Sequence, residues 1–113
     1  MDKESILLEN AKEYYSSATE AKKERKYNTA ITLFYKTISA ISDLYILKKE
    51  GFIPSSHAER FRILKEKYRN IYRILDKNFP FYQESYVAKI DKDTVIAVEE
   101  DVKELFKITE TNL

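Results

Sequence analysis

The chain contains one histidine, His57, and it falls at the second position of a predicted helix start. A histidine there could act as a general base or a metal ligand. Helix N-terminal amides disfavour the imidazolium form, and zinc needs several nitrogen or sulfur ligands. The sequence offers no second histidine and no cysteine, nor any Glu-x-x-His pair of the kind that binds metals inside helical bundles. No metal and no other cofactor is therefore expected, and a structural histidine is the default reading.

The next candidates are cations. Arg62, Lys65, Arg69, Arg73 and Lys77 fall within an arc of about 120 degrees if they share one helix of 3.6 residues per turn. That stripe is the candidate phosphate- or nucleic-acid-binding surface. Glu59, Glu66 and Asp76 project into the same arc and offset its field through i,i+3 and i,i+4 pairing, so a solvated salt-bridged face competes with the functional reading. A second basic cluster is Lys22, Lys23, Arg25 and Lys26, where cations also suit a helix C-terminus.

Nine tyrosines and six phenylalanines could stack on bases, but most fall on the inner stripes of predicted helices. The exceptions are Tyr15, Tyr82 and Tyr86. With His57, the pair Tyr82 and Tyr86 is a candidate ligand or dimer surface. No Gly-rich phosphate loop, Ser-His-acid set or positioned carboxylate pair is recognisable. No catalytic residue is assigned, and an enzyme is the less favoured class.

These side chains must be positioned by helices. One glycine and two prolines in 113 residues leave few breaks, and strand hairpins usually need recurrent Gly turns. A first helix is expected from Asp2, its cap, to about Glu24, with Leu7, Ala11, Tyr14, Ala18 and Ala21 inward. A turn at residues 25–28, capped by Asn28, leads to a second helix from Thr29 to Glu50. Its apolar residues cover more than one face, so it should be the most buried. Gly51, Phe52 and Pro54 stop it: glycine takes the left-handed position, Phe52 can fold back and proline cannot continue the helix. Ser56 and Glu59 then form a capping box for a third helix, with Phe61, Leu64, Tyr68, Ile71 and Leu75 inward, that ends at Asn78 before Phe79-Pro80. A short helix is expected over 81–88. Asp93 should cap a last helix with Val95, Val98, Val102, Leu105, Phe106 and Thr109 inward, and Glu99, Glu100, Lys103, Glu104 and Lys107 outward.

The prediction is all-α: one domain over 1–113, an up-and-down bundle of four long helices plus one short helix. The charges nearly cancel, 20 basic against 19 acidic for a net +1, so nucleic-acid binding would need a local patch. No uninterrupted apolar run of about 18 residues is seen, and the first ten residues lack a basic-then-apolar leader. No membrane partner and a cytoplasmic location are expected. Abundant Lys, Glu, Ile and Tyr without Cys is thermophile-like usage; unfolding near mesophilic temperatures would contradict it.

The order of features resembles the HEPN family of small prokaryotic helical bundles. The match runs through Tyr27-Asn28-Thr29-Ala30-Ile31, the helix to Leu47, Gly51-Phe52-Ile53-Pro54, Ser56-His57, the helix through Leu75 and a last helix ending near Phe106. The resemblance implies a homodimer and a nucleotide- or RNA-related role, in a toxin–antitoxin setting or beside a nucleotidyltransferase partner. RNase members carry an arginine followed four to six residues later by histidine in the helix corresponding to about 80–89. Here that stretch reads Phe81-Tyr82-Gln83-Glu84-Ser85-Tyr86, so the resemblance implies binding of a nucleotide, RNA or a partner protein without catalysis. Separately, Tyr14, Ala18, Ala21, Tyr27, Ala30 and Phe34 resemble one tetratricopeptide hairpin, which implies a protein-interaction adaptor as the alternative.

Overall fold

Asp2 opens the first helix by accepting from the Ser5 amide at 2.7 Å, which satisfies one of the donors a helix start leaves unpaired. In the computed structural model, which describes residues 1–113, the chain is entirely helical in its regular structure. Its elements are α1 (Lys3–Lys23), α2 (Tyr27–Glu50), α3 (His57–Lys67), α4 (Arg69–Glu84) and α5 (Lys92–Ile108). Short connections turn them into a bundle with α2 at its centre, packed against α1, α4 and α5.

Ala11, Ala18 and Ala21 are the buried residues of α1. Their small side chains allow close approach, and α1 with α2 is the most extensive helix pair. Twelve residues of α2 are buried, Phe34, Ile38 and Ile41 among them. By length and composition alone α2 could cross a membrane, contrary to the sequence reading. Two-thirds of its apolar window is buried inside the bundle, and it also buries Thr37, Ser42 and Asp43. Gly51 ends it at φ 87°, donating to the Leu47 carbonyl at 2.9 Å. Phe52 is 45% exposed.

The capping box forms with one change of partner. Ser56 Oγ accepts from the Glu59 amide at 3.1 Å, while Glu59 reaches the amide of Ser55, at 3.0 Å, rather than that of Ser56. The expected third helix is in fact two. Tyr68, at φ −135° and ψ 67°, closes α3 and opens α4. Leu64, Ile71 and Leu75 keep helical spacing across the break, so periodicity reads through it. What holds the break is tertiary: the Tyr68 hydroxyl donates to Glu50, its ring meets Tyr45 edge-on at 5.2 Å, and Lys67 binds the other Glu50 oxygen at 2.8 Å.

Asn78 and Pro80 do not end a helix. Asn78 is buried and donates to the Ile74 carbonyl at 2.8 Å and to Asp101 at 3.0 Å. Pro80 lies inside α4, where a proline costs about 3 kcal/mol. Phe79, packed against Tyr35, Phe61 and Tyr82, anchors the helix through that position. Of the segment expected as a separate short helix over 81–88, residues 81–84 are the end of α4 and 85–88 form the turn beyond it, and the short helix of the bundle is α3.

Two caps and two side chains also depart from expectation. Asp91, not Asp93, caps α5, accepting from Thr94 at 2.8 Å. Asn28 is not a cap, and α2 begins at Tyr27. Its amide instead donates to the carbonyls of Ser85 (2.8 Å) and Ala88 (2.7 Å), and its oxygen accepts from Ile90 (3.0 Å), so it fastens the α4–α5 connection. Glu99, expected outward, is buried and pairs with Lys22 at 2.6 Å. Tyr15 is half-buried against Phe34 and Phe106, which makes it a core residue.

Candidate functional site

Lys36, Ser39 and Asp43 recur at three- and four-residue spacing, which places them on one face of α2. Across from that face stand Asn10 and Tyr14 of α1, His57 and Arg60 of the first turns of α3, and Tyr82 near the end of α4. Together with Tyr35 they line a groove of about 260 Å³, somewhat below the usual size of a small-molecule pocket.

The groove's rigid element is an ion pair. Arg60 donates from Nε to Asp43 Oδ1 at 2.7 Å and from Nη2 to Oδ2 at 2.8 Å, with both side chains only about a tenth exposed. Such two-point pairing fixes the guanidinium plane as well as its position. Arg60 Nη1 lies 2.8 Å from His57 Nδ1. Arginine can only donate, so Nδ1 accepts and the neutral ring carries its proton on Nε2. Burial, and then the Arg60 charge, push the His57 pKa down, which favours that neutral form.

Aromatic rings also line the groove. Tyr35 and Tyr82 stack at 4.7 Å with an interplanar angle of 16°. Tyr82 shares a 2.9 Å hydroxyl contact with Tyr86, which raises the Tyr86 pKa. Lys36 Nζ sits 5.9 Å from the Tyr14 ring centroid. None of the molecule's ion pairs includes Lys36, so its charge is the groove's uncompensated one.

Two hydroxyls within the groove lining have no partner. Tyr35 is 2% exposed and its Oη, like Ser39 Oγ, is buried without a hydrogen bond. Burial also raises the Tyr35 pKa, because desolvation penalises the phenolate. A buried unpaired hydroxyl costs about 1–3 kcal/mol, so both are features the fold alone does not favour.

The residues singled out from sequence divide into two sets. His57 and Tyr82 belong to the groove, and Tyr86 stands beside it, 71% exposed. The basic stripe is split by the break at Tyr68: Arg62 and Lys65 lie on α3, and Arg69, Arg73 and Lys77 on α4. The arc calculated for a single straight helix therefore does not hold. Arg62 faces Glu66 at 3.5 Å and Lys77 faces Asp101 at 3.0 Å, while Lys65, Arg69 and Arg73 are exposed. No three His, Asp or Glu side chains converge as metal ligands.

Lys36, Ser39, Asp43, Arg60 and Tyr35 were not singled out from sequence. A signal for three of them existed: Lys36, Ser39 and Asp43 form a polar line along an otherwise apolar helix, and an acid in such a helix needs a buried partner. Arg60 lies one turn beyond His57, but its pairing with Asp43 depends on how α3 docks. No family model, curated protein or solved structure matches this chain.

Proposed function

We propose that the chain is a non-catalytic, HEPN-like helical bundle that binds a nucleotide, free or as part of an RNA chain, in the groove between α1, α2, α3 and α4. One observation carries the reading: aromatic rings, an uncompensated cation and two residues with unpartnered hydroxyls line a single concavity. Rings suit a base, Lys36 suits phosphate, and buried hydroxyls suit the polar edge of a ligand.

The catalytic part of the reading is negative for a chemical reason. His57 Nδ1, the one ring nitrogen with a free lone pair, is committed to Arg60, and Arg60 is held by Asp43, so the imidazole is not free to act as a base. A cytoplasmic setting beside a nucleotidyltransferase, and a homodimer formed through the exposed Tyr86 and Val87, 71% and 85% accessible, complete the proposal. The tetratricopeptide-like alternative calls for an exposed apolar groove. The groove here is lined by polar and apolar residues together, which favours the nucleotide.

Calorimetric titration with nucleoside monophosphates and short oligoribonucleotides tests the binding, and light scattering of wild type and Val87→Asp tests the dimer. Saturable binding is expected, with no change to the RNA. Cleavage of RNA that disappears in His57→Ala would overturn the non-catalytic reading.

A further inference from the structure

Given nucleotide binding in the groove, the charges and hydrogen-bond vacancies within it set the direction in which the ligand lies. We infer that the groove holds one nucleoside monophosphate unit, with the neutral polar edge of the base at Tyr35 and Ser39 and the phosphate at Lys36.

Three basic side chains line the groove: Lys36, His57 and Arg60. Arg60 is held on two of its nitrogens by the Asp43 carboxylate and on the third by His57, so its charge is already compensated. His57 accepts from Arg60 at Nδ1, an arrangement only the neutral ring can make, and its pKa is pushed down. Lys36 alone remains, exposed and without a carboxylate partner. A ligand with one anionic group matches this, whereas a polyphosphate would bring several charges to a single cation.

Tyr35 Oη and Ser39 Oγ are neutral, buried and unpartnered. They can pair with a neutral donor–acceptor edge, and they carry no charge to offset that of a buried phosphate. Tyr14 and Tyr82 supply ring surface on the lining, which suits a planar heterocycle. The volume of about 260 Å³ suits a single unit rather than a run of nucleotides. The same unit is offered by a free nucleoside monophosphate and by the terminal nucleotide of an RNA strand.

The proposal separates binding from stability in a way that a structural role would not. If Tyr35 Oη exists to meet a ligand, Tyr35→Phe removes an unpartnered polar atom and leaves the thermal midpoint level or higher. Affinity should nevertheless fall. Lys36 is exposed, so Lys36→Gln should fold as wild type does.

The test is calorimetry of wild type, Tyr35→Phe and Lys36→Gln with each nucleoside, its 5′-monophosphate and a short RNA bearing a 5′-phosphate. Wild type should prefer the monophosphate to the nucleoside by about tenfold, the effect of one charge-assisted contact. Lys36→Gln should abolish that preference. Tyr35→Phe should weaken nucleoside and monophosphate equally. A preference that survives Lys36→Gln, or nucleoside affinity unchanged in Tyr35→Phe, overturns the orientation while leaving nucleotide binding intact. Failure of wild type to bind any of the three ligand types overturns the functional reading as well. Tighter binding of the RNA end than of the free monophosphate assigns the unit to a strand terminus, and equal or weaker binding assigns it to the free nucleotide; both uphold the orientation.

Discussion

Arg60 and Asp43 join α3 to α2 through two hydrogen bonds of 2.7 and 2.8 Å, with both side chains about nine-tenths covered. The pair does two things at once. It docks the N-terminal turns of α3 on the central helix, and it removes the Arg60 charge from the groove.

Removing one partner should therefore be far more damaging than removing both. Asp43→Ala leaves a nearly buried guanidinium without its counter-charge, and about 3 kcal/mol of stability should be lost. Asp43→Leu combined with Arg60→Met should recover most of that loss, because two uncharged side chains carry no desolvation penalty. Urea unfolding of the three proteins, compared at equal m, measures the difference. A double variant as unstable as Asp43→Ala would show that the pair does more than cancel its own burial.

The same cluster gives stability a defined pH response. The folded-state pKa of His57 lies below its ordinary value of 6.5, first through burial and then through Arg60. The unfolded chain takes up a proton as pH falls through 6.5, whereas the folded protein does not until its own lower pKa is reached. The contribution is thus fully present above 6.5 and is lost as pH falls from there to the folded pKa. Thermal midpoints of wild type and His57→Gln measured between pH 8 and pH 5 should converge on the acid side. Parallel curves would remove His57 from the account.

Asn28 closes the opposite connection with three hydrogen bonds to the backbone of residues 85, 88 and 90. Asn28→Ala strands those groups in a partly covered site, at a cost of about 2 kcal/mol. The loss should be local first: hydrogen exchange of the Ile90 amide should accelerate more than that of the α2 core. Uniform acceleration across α2 would mean that Asn28 supports the bundle as a whole.

These three contacts mark where the sequence was readable and where it was not. Gly51, the Ser56–Glu59 cap and the apolar stripes of α1, α2 and α5 are local signals, set by φ preference, short-range hydrogen bonding and helical period. They appear in the structure where the residues indicated them. Tyr68, Pro80 and Asn28 were misread because their roles depend on distant partners: Glu50 and Tyr45 for the first, the Phe79 cluster for the second, the α4–α5 connection for the third. The groove follows the same division. His57 and Tyr82 stood out as single residues, but Arg60 gains meaning only when α3 lies against Asp43.

Gly51 allows a clean check of the local category. It sits at φ 87°, and a Cβ placed there would meet nothing within 4 Å. Gly51→Ala should then cost only the left-handed backbone term, about 1–2 kcal/mol, with no packing contribution. A larger loss in chemical unfolding would indicate that α2 and α3 shift to relieve the strain.

The salt response of RNA binding distinguishes the groove from the basic residues of α3 and α4. Lys36 is the groove's one uncompensated cation, so an oligoribonucleotide docked there should give a slope of log affinity against log salt of about −0.7, the value for one phosphate neutralised on a single strand. Engagement of Lys65, Arg69 and Arg73, which are exposed and lie outside the ion pairs, would steepen it to about −2 or beyond. Arg69→Gln with Arg73→Gln should change the affinity for a mononucleotide by no more than about twofold, as expected of surface positions away from the site, whereas Lys36→Gln should flatten the slope toward zero. A steep slope that responds to Arg69 and Arg73, and not to Lys36, would move the nucleic-acid surface from the groove to the outer faces of α3 and α4.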